Sequence, residues 1–275
     1  RETSRLIARR RYAEGMRVPK ARPPAVELPA VVLAAGKGTR MKAGQPKPAV
    51  QVNGRPMVLR VIGAIREAGA TRIIVVVGHQ ADAVRATIGD RFEYVVQEDQ
   101  LGTGHAVACA ASAFDGFPGP VIVAYSDIPL LRERDIADLV ARHRLTGAAG
   151  TLLTARFRQP GTLGRILRGR DGRVEGIVEA RDATEEQLRI NEINVGVYCF
   201  AAPLLFDALA EVSNHNAQGQ YYLTDALGIL VRRGEHVEAV TMEIADAGLG
   251  VDTPEDLVRA EQISRSNDLL ARPAG

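Results

Sequence analysis

Short apolar runs rich in β-branched residues alternate with helix-spaced segments through the first 150 residues, and that alternation constrains the fold more than any other feature. Residues 30–35, 73–77, 94–96 and 121–125 read as buried strands. Between them, residues 57–68, 81–88, 105–114 and 132–144 carry apolar side chains at helical spacing. A strand–helix–strand order of this kind implies an α/β, Rossmann-like chain: a mixed, mostly parallel sheet with helices on both faces.

The second half changes character. Residues 151–157, 164–167, 173–179 and 194–200 read as strands joined by polar turns, with Arg170-Asp171-Gly172-Arg173 as a hairpin turn. The sheet is therefore expected to run on into a more antiparallel, lid-like region. Helices follow over 202–210 and 224–232. A closing helix starts after Asp252-Thr253-Pro254, with Thr253 as N-cap, Pro254 as first residue and Asp256 completing a capping box.

Charge and cysteine content narrow the class. The net charge is +2, but residues 1–29 hold eight Lys/Arg against three Asp/Glu. Residues 1–28 read as a basic arm ending in Arg22-Pro23-Pro24, which continues neither helix nor strand; Met16 offers an alternative start. The body is residues 29–275: a nucleotide-binding half (29–150), a sugar-phosphate half (151–258) and the closing helix. No apolar run spans a bilayer and none reads as a secretory signal. Two cysteines, Cys109 and Cys199, suit a reduced, cytoplasmic setting better than a disulfide framework. Neither nucleic acid nor membrane is expected as a partner, and nothing in the pattern sets an oligomeric state.

The loop after the first strand, Leu33-Ala34-Ala35-Gly36-Lys37-Gly38-Thr39-Arg40-Met41, lies where an open parallel sheet binds its ligand. Glycines let backbone N–H groups approach an anion, and Lys37 and Arg40 add positive charge. The spacing fits neither a Walker A loop nor a dinucleotide fingerprint.

That loop, followed by Pro46-Lys47, resembles the signature of the sugar-phosphate nucleotidyltransferases, nearest to the uridylyltransferase domain of the bacterial enzyme that makes UDP-N-acetylglucosamine. The likeness continues in register through residues 97–106, 125–130, 164–166, 177–179, 192–196 and 216–225, and spans roughly residues 30–258. It implies a GT-A-like fold and transfer of a nucleotidyl group from an NTP, with UTP preferred, to a sugar 1-phosphate such as N-acetylglucosamine 1-phosphate, releasing pyrophosphate. Carried residue by residue, it implies Arg40 and Lys47 as catalytic cations on the triphosphate. Leu33, Ala34, Ala35, Gly36, Lys37, Gly38, Gln97, Gln100, Gly102 and Thr103 would bind the nucleotide, the two glutamines offering both a donor and an acceptor to a uracil or thymine edge. Tyr125, Gly164, Glu179, Asn194, Tyr222 and Thr224 would contact the sugar phosphate. Asp127 and Asp252, at strand ends, would hold Mg²⁺ through hard oxygen ligands. His105 is read as structural, because in-line displacement calls for no general base.

The pattern also departs from the family. Ser126 replaces a Gly, Thr162-Leu163 replaces Gly-Tyr and removes an aromatic wall, Gln220 replaces a Glu, and Asp252 replaces a metal-binding Asn. Three of these changes fall in the sugar half, so glucose 1-phosphate with UTP or dTTP stands as the alternative pair, and a non-catalytic nucleotide-sugar binding module as the alternative from another class. The family's acetyl-transferring β-helix of hexapeptide repeats has no counterpart in these 275 residues, so acetyl transfer is not expected.

Overall fold

Strand β1 (Pro29–Ala34) is buried from end to end. Its side chains alternate between two cores: Ala30, Val32 and Ala34 face one, Val31 and Leu33 the other. A strand covered on both faces needs the continuous apolar run seen there. This computed structural model describes residues 27–41 and 44–270; the basic arm to residue 26, with Met16, lies outside the described residues.

A short hairpin, β2 (Gln51–Val52) and β3 (Arg55–Pro56), turns at Asn53-Gly54, both with positive φ (48° and 75°) as a type I′ turn requires. This hairpin is not among the elements expected above, although Asn-Gly is its standard signal. Then come α1 (Met57–Glu67), β4 (Arg72–Val77), α2 (Ala81–Ile88), β5 (Glu93–Val96), α3 (Thr103–Ala108), β6 (Pro120–Tyr125) and α4 (Glu133–Thr146). The expected helix over 105–114 is in fact two pieces: α3 starts two residues earlier, and a separate 3₁₀ turn covers Ala111–Phe114. Alanine content favours helix here, but Gly104 N–H is drawn to Tyr221 O (2.8 Å), so tertiary contact sets the start.

The second half supplies β7 (Gly150–Arg156), β8 (Arg165–Arg168), β9 (Val174–Val178), α5 (Glu185–Leu188), β10 (Glu192–Ala201), α6 (Ala202–Leu209), α7 (Leu223–Arg232), β11 (Val237–Thr241) and α8 (Pro254–Leu270). Helix α5 and strand β11 are not among the elements expected above. At α8, Thr253 Oγ1 accepts from Asp256 N–H (3.1 Å) and Asp256 Oδ2 from Thr253 N–H (2.9 Å), the expected capping box.

The main sheet runs β11–β7–β10–β6–β1–β4–β5, with β8 and β9 branching off β10 as an antiparallel hairpin. Strands β6, β1, β4 and β5 are parallel, as are β7 and β11; β10 is antiparallel to both of its main-sheet neighbours. Helices α1, α2 and α4 cover one face and α3, α6 and α7 the other. The chain crosses from β1 to β4 on one side and returns to β6 on the other, so the ends of β1 and β6 flank a topological switch point, where such sheets open a ligand crevice. No helix among the described residues is long and apolar enough to cross a membrane.

Candidate functional site

The parallel register of Leu33 with Tyr125 brings the loops after β1 and β6 out at the same end, and Ser126 N–H donates to Leu33 O (3.2 Å). A third apolar cluster backs them: Met41, Val50, Val52, Met57, Leu130, Leu249, Val251 and Ala260. Two of the charged residues adjoin members of that cluster. Arg40 precedes Met41, and Asp252 follows Val251, whose N–H donates to Asp127 O (2.9 Å). Burial of the apolar partners thus fixes the charged ones, although Asp127 and Asp252 lie 125 residues apart in the chain.

Four charges meet there. Lys47 Nζ lies 2.5 Å from Asp127 Oδ2 and 2.5 Å from Asp252 Oδ1, and Arg40 Nη2 lies 2.9 Å from the same Asp252 oxygen. Burial alone would push the Lys47 ammonium down; the two carboxylates outweigh it and hold the group above its ordinary value. The side chain of Asp252 therefore faces the cluster, while the capping of α8 is done by Thr253 and Asp256. Gly38 lets Lys47 in: with φ +58°, a Cβ there would stand 2.4 Å from Lys47 Cβ. Gly36, by contrast, faces open space and has no steric need to be glycine.

The cluster opens into a cleft of about 550 Å³. Of the residues expected from the sequence, Leu33, Ala35, Gly36, Lys37, Gly38, Arg40, Lys47, Gln97, Gln100, Gly102, Thr103, Tyr125, Asp127, Gly164, Glu179, Asn194 and Asp252 line it. Three do not. Ala34 points to the opposite core, as strand alternation demands. Tyr222 turns away: its hydroxyl accepts from Gln218 Nε2 (2.8 Å) and donates to Asp182 Oδ2 (3.4 Å). Thr224 is buried behind the wall and donates its hydroxyl to Glu179 Oε1 (3.0 Å), so it orients that carboxylate from behind. Among the wall residues the sequence left unassigned are Ser126, Ile128, Thr162, Leu163, Val195 and Gln220.

Two walls complete the cleft. On the first, Gln97 follows β5, and its N–H donates to Val77 O (2.7 Å). Gly102 (φ +124°) packs against residue 221, where a Cβ would meet Tyr221 O at 2.5 Å, and Thr103 Oγ1 accepts from Leu223 N–H (3.0 Å). The Gly-Thr-Gly stretch thus docks α3 against the start of α7. Both amide nitrogens on this wall are engaged: Gln97 Nε2 donates to Gly102 O, and Gln100 Nε2 to the carbonyls of Gln97 and Glu98, each at 3.0 Å. The glutamines therefore present acceptors to the cleft, rather than the donor–acceptor pair expected.

On the second wall, Asn194 sits at an irregularity in the pairing of β10 with β7. Its Nδ2 donates to the Tyr198 hydroxyl (2.7 Å) and its Oδ1 accepts from Gly196 N–H (3.1 Å). Gly196 (φ +85°) is needed because a Cβ would fall 2.5 Å from the Tyr125 ring. Glu179 is pushed above the usual carboxylate range, first by burial and then by Asp225 and Asp182, against the opposing hydrogen bond from Thr224. Arg165, also buried, donates to the carbonyls of Gly161, Leu163 and Leu188 and so pins the loop that carries Thr162 and Leu163. Glu192, inside a segment that resembles the family's sugar pocket, is instead a structural ion-pair partner: Arg168 grips it at 2.8 and 2.6 Å.

The crevice at the switch point thus gathers paired cations, paired acids and the half-buried Glu179 carboxylate. The chain belongs to the MobA-like NTP transferase domain family, whose profile matches residues 30–229. It is 46% identical over 242 residues to the Bifunctional protein GlmU of Pelobacter propionicus (86% of this chain, 52% of that protein) and 47% over 245 residues to that of an Exiguobacterium species (88% and 54%). It thus spans about half the length of these curated relatives. In fold it is similar to a UDP-glucose pyrophosphorylase solved with UDP-glucose (TM-score 0.70, 18% identity, 88% of this chain and 100% of that one). It is also similar to a Bacillus anthracis protein assigned as a glucose-1-phosphate thymidylyltransferase and solved with a sucrose (TM-score 0.71, 19% identity, 86% and 95%).

Proposed function

We propose that this cleft transfers a nucleotidyl group from UTP to N-acetylglucosamine 1-phosphate, releasing pyrophosphate and forming a nucleotide sugar, a step that supplies cell wall precursors. The observation that carries the reading is the ion-pair cluster of Arg40, Lys47, Asp127 and Asp252 at the shared end of β1 and β6. The reaction brings two polyanions together, so charge stabilisation and alignment dominate the barrier. Arg40 and Lys47 would grip the phosphates next to the α-phosphorus, Arg40 through its planar fork. The sugar-phosphate oxygen attacks in line and pyrophosphate departs, so no side chain need act as nucleophile. Gln97 and Gln100 would face the base; Glu179, positioned by Thr224, and Asn194 would face the sugar.

The donor set suits Mg²⁺. Asp127 and Asp252 offer hard oxygens but no full protein cage, and Mg²⁺ is commonly held by one or two carboxylates, with phosphates and water completing its shell. The pair already holds a compact cation, the Lys47 ammonium, at 2.5 Å from each. When bound, Mg²⁺ would supply Lewis-acid polarisation and a template for the phosphates. Free Cys109 and Cys199 suit a reducing cytoplasm.

A second pair keeps a place because Leu163 and Gln220 line the sugar half where the resemblance has Tyr and Glu: glucose 1-phosphate with UTP or dTTP. The test is pyrophosphate release over a panel of NTPs and sugar 1-phosphates with Mg²⁺, ranked by kcat/KM. The highest ratio is expected for UTP with N-acetylglucosamine 1-phosphate. A higher ratio for glucose 1-phosphate would select the second pair, and no product from any pair would leave only a binding module.

A further inference from the structure

We propose that His105 is a positioning residue that fixes the polarity of the Gln97 amide, making the cleft select a base with a ring N–H. The inference rests on the proposed nucleotide site and names what that site demands of the base.

Gln97 is 3% exposed and lines the cleft. Its amide lies 3.0 Å from Gly102 O and 3.0 Å from His105 Nδ1. A backbone carbonyl can only accept, so the amide nitrogen faces Gly102. The second amide N–H then points at His105 Nδ1, which must offer its lone pair, leaving the imidazole proton on Nε2. Nε2 faces the Cys109 sulfur at 3.9 Å, one helical turn on. Both amide hydrogens of Gln97 are thereby spent on the protein. What remains is Oε1: among the described residues no hydrogen bond reaches it, and Gln97 lines the cleft.

An acceptor with fixed polarity discriminates bases by chemistry. Uracil and thymine carry a hydrogen on N3 and can donate to Oε1. Cytosine carries a lone pair on N3, so two acceptors would oppose each other. Losing His105 would leave one amide hydrogen unpaired in a nearly buried place and loosen the rotor that aims Oε1. His105 lies eight residues from Gln97 in the same matched segment, and the turn at Gly102 brings the two side chains together.

The test is equilibrium binding of UTP, CTP and N3-methyl-UTP with Mg²⁺ and no sugar phosphate, followed by calorimetry. The wild-type chain should bind UTP at least about tenfold more tightly than either analogue, the weight of one buried neutral hydrogen bond. His105→Leu should weaken UTP binding several-fold and narrow that preference, with an unchanged KM for sugar phosphate. His105→Asn, whose carbonyl can take the place of Nδ1, should restore both affinity and preference. Equal wild-type binding of UTP and N3-methyl-UTP would overturn the proposal, as would a folded His105→Leu that keeps wild-type affinity and preference. Pyrophosphate release separates the two readings: binding preference without turnover removes the proposed reaction and leaves the role of His105, turnover without preference does the reverse, and no nucleotide binding at all removes both.

Discussion

Lys47→Met removes the charge and keeps most of the volume, and its effect on metal binding can be worked from the structure. Asp127 Oδ2 and Asp252 Oδ1 each lie 2.5 Å from Nζ, so they stand no more than 5 Å apart. At an effective dielectric of about 20, two like charges at that distance repel by about 3 kcal/mol. The two carboxylates are 24% and 26% exposed, and Arg40 remains on Asp252, so solvent and that guanidinium cut the figure to roughly 1–2 kcal/mol. In the wild type a divalent cation must displace the ammonium; in the variant it relieves the repulsion instead. Mn²⁺ titrated without nucleotide, followed by calorimetry or electron paramagnetic resonance, should therefore bind Lys47→Met about tenfold more tightly, since about 1.4 kcal/mol is a factor of ten. Turnover should move the other way, falling about 10²–10³-fold for the loss of one charge stabiliser. A folded variant that binds Mn²⁺ no more tightly than the wild type would refute the idea that Lys47 occupies the place of the metal.

Three further substitutions probe the surrounding frame. Gly38→Ala forces a β-carbon into left-handed backbone and against Lys47 Cβ; a loss of about 1 kcal/mol from the backbone alone, or roughly 3 °C in melting temperature, should accompany at least a tenfold fall in kcat/KM, and wild-type kinetics would count against the close approach. Glu179→Gln should raise the KM for sugar phosphate and also raise the melting temperature at neutral pH. The sign follows because the folded protein holds this carboxyl above its ordinary value, so ionisation costs stability as pH rises through the folded value. The gain should fade as pH drops into the carboxylate range, and a gain that grows in acid would contradict it. Arg165→Met unpins the loop of Thr162 and Leu163 and should raise the KM for sugar phosphate about tenfold with the KM for NTP unchanged, the loss of an anchor worth one or two hydrogen bonds; equal changes in both constants would point to general unfolding instead.

How far the sequence discloses this site depends on the range of each interaction. Strands β1, β4 and β6 are legible because their burial on both faces is written locally, as unbroken apolar runs. Strand β11 is also written locally, as the β-branched, partly alternating Val-Glu-Ala-Val-Thr. The four clustered charges are legible as residue types through the loop after β1, Pro46-Lys47 and the two acids; Asp127 follows β6 as expected, but Asp252 sits in the loop before α8 and not at a strand end. The mutual neutralisation of the four is not legible, because it rests on contacts such as Val251 N–H with Asp127 O that no local pattern encodes. Gly38 shows the same limit: the sequence gives a flexible turn, while the structural demand comes from Lys47, nine residues away. Tyr222 and Thr224 fail in the opposite direction. Their motif is matched, yet the docking of Gly102 and Thr103 against residues 221–223 sets the buried tyrosine away from the cleft and the threonine behind Glu179. A motif records that residues belong to one site; whether a side chain touches the ligand or aims a neighbour that does is settled by hydrogen bonds between segments. That is why His105, which looked structural on its helix, bears on the base through Gln97.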